Sequence, residues 1–495
     1  MQKAMKLIGR SQTSSVDYKT RRDVVLPGKP SIDFILDAPC RIININGRIS
    51  MSAADLPGDT GGTFTWSTAS KKIRLINGLG PRLVIEALGK PSSSRDSETV
   101  TVTRTDRQGK QAVKTVKLTV ALVRFLPAKN QKYGYDDFDT AQNGLDDHIC
   151  VKSEDFTYAT IQIDGGALPY DFDFAFDKSD ICTAEALNAS AKFDLKISAG
   201  RFEKSATVLQ VRSRCRSSEI FAAITVHVYT EKMVSVLIAK VSDSSSPETR
   251  LNYPDADYAS FENIANEKLK EAVARYELAN FKNSNSVLNV NFDENHDGFV
   301  TFDINANGGK EFEAIKKAVQ SDQEADCTVV IIRRLRSLYF LKSQAKAGSR
   351  TIEVVGSNIF LGSMQLGSGA NLESVNVIRQ EHGTGYLEAP LMYHHNANDW
   401  LEFRAAAWST NPILISEGNV PLEETKWTIL HEVGHSALKL KDVIDRNDFM
   451  NFSQGNSDMR LRFCPRVLAY VPNSTQNQWE TIPRPRINKS KKEKK

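Results

Sequence analysis

A His-Glu-x-x-His pattern is the part of this sequence with the clearest potential for chemistry. It reads His431-Glu-Val-Gly-His435. Residues four apart lie on the same face of an α-helix, so both imidazoles can reach one zinc ion at ~2.0–2.1 Å. Glu432 follows the first histidine, and its carboxylate can take a proton from a water on that zinc. The pattern therefore predicts a catalytic zinc centre with Glu432 as general base.

The residues around this pattern predict the helix that must carry it. Pro412–Ser416 is predicted to form a strand, and a short loop then leads to Pro421, a residue favoured at the first position of a helix. Glu423 and Glu424 fall in the first turn, where acidic side chains favour the helix dipole. One apolar stripe follows: Ile429, Val433, Ala437 and Leu440. The two histidines lie beside this stripe, so the metal-binding face is predicted to differ from the core face.

The segment resembles the zinc peptidases of the metzincin clan, whose helix reads His-Glu-x-x-His-x-x-Gly-x-x-His/Asp. Here Leu438 occupies the glycine position and Lys441 the third-ligand position, while Asp442 comes one residue later. An unbroken helix would carry Asp442 about 10 Å along its axis from His435, too far to share the zinc. The resemblance therefore implies either a helix break near Leu440, with Asp442 as third ligand, or another ligand.

The resemblance also covers the residues that follow. Asp445 and Asp448 are the alternative third ligands. Asn447–Ser453 looks like the clan's methionine turn, which implies a structural role for Met450, although an ordinary core methionine fits the sequence equally well. Two histidines, one carboxylate and an open fourth position form a catalytic zinc arrangement.

A second candidate metal site lies earlier in the chain. Asp293, Asn295 and Asp297 match positions one, three and five of a calcium loop, and Gly298 matches position six. Position twelve is not a glutamate, but Asp303 directly precedes it. The segment predicts either a single Ca²⁺ site formed by Asp293, Asn295, Asp297 and Asp303 or a polar turn between two strands.

The first half of the chain predicts β-sandwich structure. Seven short strands are expected: Ser31–Leu36, Arg41–Ile45, Thr63–Trp66, Lys72–Ile76, Arg82–Ala87, Thr99–Thr105 and Val113–Val123. Asp106–Gly109 predicts a hairpin turn between the last two. Gly62–Ser67 looks like the tryptophan strand of bacterial immunoglobulin-like domains, with Trp66 in the core. A less regular strand-rich stretch follows and predicts a second such module.

Beyond residue 225 strands alternate with helices, which predicts α+β structure. Tyr258–Phe281 is expected to form one amphipathic helix. The other expected elements are strand Val287–Phe292, helix Gly309–Gln320 and strands Cys327–Arg333 and Thr351–Val355. An edge strand should hold substrate by strand addition, with Ile413–Ser416 and Thr351–Val355 as the candidates.

Length and charge limit the number of domains and the classes of function that the sequence allows. A chain of 495 residues exceeds the ~250–300 at which single cores stop growing. The formal net charge is +4, but residues 482–495 contain seven Lys or Arg and one Glu, so the body is slightly acidic. This distribution argues against nucleic-acid binding.

The sequence contains no apolar run long enough for a membrane span and no recognisable Sec signal, so we expect export by another route, or else a cytoplasmic protein. The scattered cysteines have no CxxC pair, which leaves buried thiols or a single disulfide.

These observations predict a multidomain protein: N-terminal all-β immunoglobulin-like sandwich modules followed by an α+β metzincin-like zinc peptidase domain. The predicted segments are an extension (1–22), a first sandwich (23–126), a second β-rich module (127–224), the peptidase domain (225–481) and a disordered basic tail (482–495). The predicted function is zinc-dependent cleavage of a protein or peptide substrate by an exported effector or toxin, with a secretion-system or other protein partner bound through the β modules. The alternatives are an inactive, peptidase-like binding protein and an adhesive β protein with a coincidental motif.

Overall fold

The computed structural model divides the chain into two compact units. The structure describes residues 33–59, 61–136, 147–188, 190–281, 286–302, 309–320, 325–356, 362–405, 407–408, 412–418, 421–441, 450 and 477–485. The first unit contains the chain up to Glu231 and also Arg484, and the second unit runs from Lys232 to Pro483. The predicted boundary after residue 224 falls inside a strand, Ile220–Tyr229, so the division lies several residues later.

The first unit is built from three β-sheets. Its strands are β1 (Phe34–Asp37), β2 (Ile42–Asn44), β3 (Arg48–Asp55), β4 (Thr63–Thr68), β5 (Ile73–Leu75), β6 (Arg82–Ala87), β7 (Glu98–Thr105), β8 (Gln111–Pro127), β9 (Tyr135–Asp136), β10 (Asp147–Lys152), β11 (Phe156–Asp164), β12 (Phe172–Phe176), β13 (Cys182–Ala186), β14 (Lys192–Ala199), β15 (Lys204–Ser213) and β16 (Ile220–Tyr229). The sheet orders are β1-β3-β6-β5, β13-β14-β11-β8-β7-β4 with β2 beside β8, and β12-β15-β16-β10-β9.

One long strand, β8, belongs to both predicted modules. Its first half pairs with β7 and its second half with β11, and both pairings are antiparallel. The 17 residues of β8 contain no glycine, and their only proline is the last residue, so nothing interrupts the strand. The predicted boundary between residues 126 and 127 therefore falls inside a continuous strand rather than in a linker.

Each half of β8 contributes to a sandwich. In the first sandwich, alternate residues of β1–β8 point into one core, and Trp66 there is 4% exposed. The Trp66 indole N–H donates to the carbonyl of Gly80 at 2.8 Å. In the second sandwich, Phe174 of β12 meets Phe193 of β14 edge to face, with ring centroids 5.8 Å apart. The predicted core role of Trp66 and the β-rich character of the first half are confirmed.

A disulfide links the two sandwiches. It joins Cys40, which follows β1, to Cys215, which follows β15, and their Cα atoms lie 5.2 Å apart. Cys150, Cys182 and Cys327 are buried and lie outside this disulfide. The sequence left a single disulfide open, and only the folded chain brings together cysteines that are 175 positions apart.

The second unit contains the remaining elements. Its strands are β17 (Lys232–Ser242), β18 (Ala274–Asn280), β19 (Leu288–Asn289), β20 (Val300–Phe302), β21 (Cys327–Ile332), β22 (Leu335–Phe340), β23 (Thr351–Glu353), β24 (Gly362–Leu366), β25 (Glu373–Glu381), β26 (Thr384–Leu387), β27 (Trp400–Ala405), β28 (Ala407–Trp408) and β29 (Ile413–Ser416). Its helices are α1 (Glu262–Leu269), α2 (Lys310–Ala318), α3 (Leu422–Leu438) and α4 (Gln478–Thr481).

A mostly parallel sheet forms the centre of this unit. Its order is β18-β17-β21-β29-β28, with β19 also beside β17, and only β28 is antiparallel to its neighbour. The predicted single helix over Tyr258–Phe281 is wrong. The chain leaves α1 through a short 3₁₀ turn, adopts a left-handed conformation at Val273 (φ 53°), and continues as β18. Alternating burial along β18 explains its strand structure.

A small β-barrel, absent from the sequence predictions, is inserted between β21 and β28. Its strands follow the order β22-β27-β24-β25-β26-β23, and β20 extends the same sheet by pairing in parallel with β22. The N–H of Lys342 donates to the carbonyl of Glu353, and that of Val355 donates to Phe340, both at 2.8 Å, so β23 pairs back onto the end of β22 and closes the barrel. The barrel has its own core: Tyr339, Leu341, Ala345, Ile352, Val354, Met364, Leu366, Val375, Val377, Leu387, Leu391 and Leu401.

Within the described residues, no helix combines the length and apolar character needed to cross a membrane.

Candidate metal centre

Helix α3 carries the His-Glu-x-x-His pattern, as predicted. Pro421 is its N-cap residue and Glu423 and Glu424 lie in its first turn. The buried residues of α3 are Thr425, Ile429, Leu430, Val433, Gly434 and Leu438, and the helix packs against β21, β28 and β29. His431, Glu432 and His435 are half-buried and so remain accessible to solvent.

The two histidines converge on one point. Their Nε2 atoms lie 3.1 Å apart, and their ring planes are almost perpendicular, at 89°. Two nitrogens bound to the same tetrahedral zinc at ~2.0–2.1 Å would be separated by about 3.3 Å. The separation of the two Nε2 atoms is therefore close to that of two nitrogen ligands on one zinc ion.

The end of α3 fixes the tautomer of His435. The Nδ1 atom of His435 lies 2.7 Å from the carbonyl oxygen of Leu440. A carbonyl only accepts, so Nδ1 carries the proton and donates it, and Nε2 keeps its lone pair directed toward His431. Metal-binding histidines are commonly oriented by such a bond from the second ring nitrogen.

The helix ends near the position where the sequence requires a break. Its last residue is Leu438, and Lys439 follows in a left-handed conformation (φ 60°, ψ 27°). The N–H groups of Lys439 and Leu440 both donate to the carbonyl of Gly434, at 3.1 Å for Leu440, and so close the helix end. The turn residue thus lies one position after Leu438, which occupies the glycine position of the metzincin pattern.

The predicted third ligands, Asp442, Asp445 and Asp448, lie outside the described residues. Among the residues that are described, no group of three or more His, Cys, Asp or Glu side chains is arranged to hold a metal. Met450 is described and fully buried, which fits both of its predicted roles. The identity of the third ligand therefore stays a prediction.

Two side-chain contacts from the segment before the barrel anchor α3, and sequence reasoning missed both. The hydroxyl of Tyr276, on β18, donates to the carbonyl of Leu430 at 3.1 Å, one residue before His431. Trp427 meets Phe261 edge to face, with ring centroids 5.3 Å apart. Both partners come from the segment 258–281 that was predicted as one helix, so its division into turn, helix and strand is what positions α3.

A buried carboxylate holds the loop that enters α3. Glu417 is fully buried directly after β29, where it accepts bonds from the Tyr258 hydroxyl and the Asn252 N–H, both at 2.7 Å. Lys240 lies nearby, and its ammonium donates to the carbonyls of Pro254 and Ala256. Burial lowers the pKa of Lys240, while Asp255, Asp257 and Glu417 oppose that shift. No sequence pattern indicates this network, because its members are far apart in the chain.

Neither candidate edge strand lies at the edge of the sheet beside α3. Ile413–Ser416, as β29, is interior to that sheet, between β21 and β28. Thr351–Glu353, as β23, belongs to the barrel. Among the described strands, β28 is the edge on the α3 side. The prediction of Ile413–Ser416 as an edge strand is wrong, because the return of the chain from the barrel adds the antiparallel strand β28 beside it. Whether Thr351–Val355 holds substrate stays a prediction.

The predicted calcium loop has the geometry of a tight polar turn. Asp293 is fully buried and accepts bonds from the N–H groups of Asp297 (3.1 Å) and Gly298 (3.0 Å) and from the Ser246 hydroxyl. The guanidinium of Arg336 forms an ion pair with Asp297. Asp303 lies outside the described residues, so the full ligand set stays a prediction.

Further carboxylates lie close to this loop. Asp243 accepts the N–H groups of Phe292 and Asp293, at 2.8 and 3.0 Å. Burial raises the pKa of Glu311, on α2, and the nearby charges of Asp297 and Asp293 raise it further. Glu311 was missed because it lies far along the sequence from the loop motif.

Comparison with known proteins gives only distant likenesses. The sequence matches no protein-family model, and no curated protein matches it. The C-terminal 282-residue fragment of intimin, in complex with the intimin-binding domain of the translocated intimin receptor, is 12% identical with a TM-score of 0.24, over 41% of this chain and 64% of that fragment. The fibronectin(III)-like modules of Clostridium thermocellum CbhA are 8% identical with a TM-score of 0.20, over 40% of this chain and 94% of that one.

The D00-D0 domain of intimin is 13% identical with a TM-score of 0.17, over 40% of this chain and 99% of that one. This chain spans less than two thirds of the intimin fragment. TM-scores this low carry no argument about function. The mostly β, sandwich-like character of the first unit stands on its own strands and sheets.

Proposed function

We propose that this protein is a zinc-dependent endopeptidase with its catalytic centre on α3. The observation that carries the proposal is the 3.1 Å separation of the His431 and His435 Nε2 atoms, with the His435 tautomer set by Leu440. This arrangement suits two neutral imidazoles that share one metal ion. Half-exposure of the site suits a centre that must admit substrate and water.

In this proposal His431 and His435 hold the zinc, and Asp442 completes the protein ligands. A bound zinc would lower the pKa of its water and polarise the carbonyl of the scissile peptide bond. The Glu432 carboxylate takes the proton from the attacking water and delivers it to the leaving amine. Residues 442–449 follow the turn at Lys439, and Asp442 has the same spacing from Lys439 that the third ligand of the metzincin pattern has from its glycine.

The substrate is proposed to bind as an added strand along β28. Among the described strands, β28 has one neighbour, β29, and its other side ends the sheet. An extended peptide can pair with such an edge through backbone hydrogen bonds, which makes binding depend on the main chain more than on the side chains. β28 precedes β29 and α3 in the chain, and α3 packs against it.

The first unit is proposed to bind a protein partner and to act outside the cytoplasm. Its Cys40–Cys215 disulfide would persist in an oxidising compartment, whereas cytosolic thiol systems keep most cysteines reduced. Export as an effector or toxin is part of this proposal.

Metal analysis combined with a cleavage assay tests this function. The purified full-length protein should contain about one equivalent of zinc and should cleave casein or members of a peptide library. Glu432→Gln should keep the zinc and lose activity, while His435→Ala should lose both. His394→Ala, in an exposed barrel loop, is the matched control and should retain both. A protein that holds no zinc after incubation with the metal would refute the site.

A second candidate function is a binding protein without catalysis. Specific observations favour it: the two rings can share one hydrogen bond at 3.1 Å without any metal, and Leu438 and Lys441 depart from the peptidase pattern. In that case the protein would bind its partner but cleave no peptide, whether or not zinc is present. Zinc binding without cleavage would indicate an inactive peptidase-like protein, and absence of both would indicate a coincidental motif.

A further inference from the structure

A polar cleft lies on the outer face of the second sandwich. It has a volume of about 470 Å³ and is formed where β8, β11 and β14 adjoin. Its lining includes Leu126, Lys129, Thr160, Asn188, Lys192 and Asp194. This volume falls in the ~300–1,000 Å³ range of small-ligand pockets. We call it the lysine cleft, after Lys129 and Lys192.

The floor of the lysine cleft is a fixed hydrogen-bonding surface. Thr160 and Asp194 are cross-strand partners of β11 and β14, and the Thr160 hydroxyl donates to the Asp194 carboxylate at 2.6 Å. Thr160 is 6% exposed, so the pair is held in place rather than free in solvent. The carboxylate retains further acceptor positions for the hydroxyl groups of a ligand.

The remaining polar groups of the cleft are donors. Lys129 and Lys192 are exposed, and within the described part of the chain neither forms an ion pair. The amide oxygen of Asn188 accepts from the hydroxyl of Ser190 at 2.8 Å, which leaves the Nδ2 hydrogens for a ligand. Two ammonium groups beside one carboxylate give the lining of the cleft a net positive charge, which favours an anionic ligand.

An aromatic side chain extends the same face. Tyr158 is two residues from Thr160 on β11, so both project from the same side of the sheet, about 7 Å apart. Its neighbour Phe156 meets it edge to face, with centroids 5.4 Å apart, and the ammonium groups of Lys132 and Lys196 lie 3.4 and 4.4 Å from the Phe156 centroid. Tyr158 therefore offers an amphipathic ring beside the polar floor.

We propose that the lysine cleft binds an acidic oligosaccharide. Its carboxylate or sulfate groups would pair with Lys129 and Lys192, its hydroxyl groups would donate to Asp194, and the ring of Tyr158 would pack against the C–H face of a sugar. A simple anion would not use the Asp194 acceptor, and an acidic peptide carries few hydroxyl groups for it. A ligand that combines anionic groups with many hydroxyls matches both halves of the cleft.

Binding measurements on the full chain test this proposal. The probes are tetragalacturonate, its fully methyl-esterified form, a heparin-derived tetrasaccharide and a polyglutamate peptide, each titrated by calorimetry at low and at physiological salt. Variants are Lys129→Ala combined with Lys192→Ala, and Thr160→Val, which removes the hydroxyl while conserving side-chain volume. Lys117→Ala, an exposed lysine on the first-sandwich half of β8, is the matched control.

The wild-type protein and the Lys117 variant should bind at least one acidic oligosaccharide, more weakly as salt rises. The double lysine variant should bind it at least tenfold more weakly, Thr160→Val should weaken it by a smaller factor, and the methyl ester should not bind. Circular dichroism of each variant checks that the fold is retained. Absence of binding by both acidic sugars, unchanged binding in the double lysine variant, or tighter binding of polyglutamate would overturn the proposal.

Discussion

The Nδ1 atom of His435 lies 2.7 Å from the carbonyl oxygen of Leu440, two residues beyond the last residue of α3. Through this contact, the backbone conformation at the end of α3 determines which ring nitrogen of His435 carries the proton. The turn at Lys439 places the Leu440 carbonyl beneath the imidazole, and that carbonyl holds the Nδ1 proton. The second nitrogen is therefore available to a metal.

The third zinc ligand is predicted to be Asp442. Asp442→Ala should weaken zinc binding at least tenfold, because a two-histidine site lacks the negatively charged ligand that completes three-point coordination. Competition with a fluorescent zinc chelator measures the affinity. Asp445→Ala and Asp448→Ala serve as comparison variants and should change it little; a larger loss in either one would reassign the ligand.

Lys439 is predicted to be a strained position at the end of α3. A left-handed backbone costs a residue with a Cβ atom about 1–2 kcal/mol, and glycine avoids that cost but loses more chain entropy on folding. Lys439→Gly should therefore raise the free energy of unfolding by about 0.5 kcal/mol. Lys426→Gly, in the interior of α3, should lower it by about 1 kcal/mol. Urea denaturation followed by tryptophan fluorescence compares the two, and a destabilised Lys439→Gly protein would contradict this account.

The Cys40–Cys215 disulfide is predicted to stabilise the first unit. Its closed loop spans 175 positions, for which the chain-entropy relation gives about 5 kcal/mol as an upper value. A Cys40→Ser, Cys215→Ser double variant should unfold at lower urea concentration than the oxidised wild type. Addition of dithiothreitol should shift only the wild-type curve. Mass spectrometry of unreduced peptides identifies the bond directly, and an unshifted wild-type curve would indicate that these cysteines are not linked.

The barrel is predicted to lose stability in acid through Glu373. This carboxylate is 4% exposed and accepts the N–H groups of Met392 and Tyr393 and, at 2.7 Å, a bond from His395. Burial opposes its charge, but these donors hold the pKa of Glu373 below its ordinary value of 4.5. The unfolded chain then binds the proton more readily, so this contribution to stability is present above pH 4.5 and disappears as pH falls toward the lower, folded-state pKa.

Thermal unfolding between pH 3 and pH 7 measures that loss. Relative to the wild type, Glu373→Gln should be less stable near neutral pH, and the difference should shrink below pH 4.5. Glu381→Gln, at an exposed position, should follow the wild-type profile. If the melting temperatures of the wild type and Glu373→Gln differ by the same amount at every pH, ionisation of the Glu373 carboxylate is not the source of that difference.

Calcium is predicted to stabilise the loop at Asp293 if the side chains of Asp293, Asn295, Asp297 and Asp303 form a site. Millimolar Ca²⁺ should then raise the melting temperature of the wild type, EGTA should reverse the effect, and Asp293→Asn should abolish it. Asp293→Asn alone should also weaken the turn, because its buried carboxylate accepts several bonds. If Ca²⁺ leaves the melting temperature of the wild type unchanged, the loop binds no calcium, and the charge of Asp297 is balanced by the Arg336 guanidinium.

Local sequence patterns were sufficient to predict several helices and strands. Apolar residues at helical spacing and an N-terminal proline predicted α3, and alternation predicted strands such as Arg82–Ala87, whose bounds match β6. The hairpin at Asp106–Gly109 follows from its turn residues, and Gly109 adopts the positive φ (79°) that the turn requires. The helix predicted from mixed spacing over Tyr258–Phe281 is wrong, because residues 274–280 pair with β17 as a strand of the central sheet.

Other features depend on which distant segments meet. The sequence alone determined the chemistry available on α3, since the spacing from His431 to His435 suffices to place two imidazoles on one helical face. Only the tertiary structure decided that β8 serves two sandwiches, that β28 is the sheet edge beside α3, that a barrel separates β21 from β28, and that Cys40 meets Cys215. The physical reason is that helix periodicity is a local property, whereas strand pairing, barrel closure and disulfide contact are set by hydrogen bonds and packing between residues far apart in the chain.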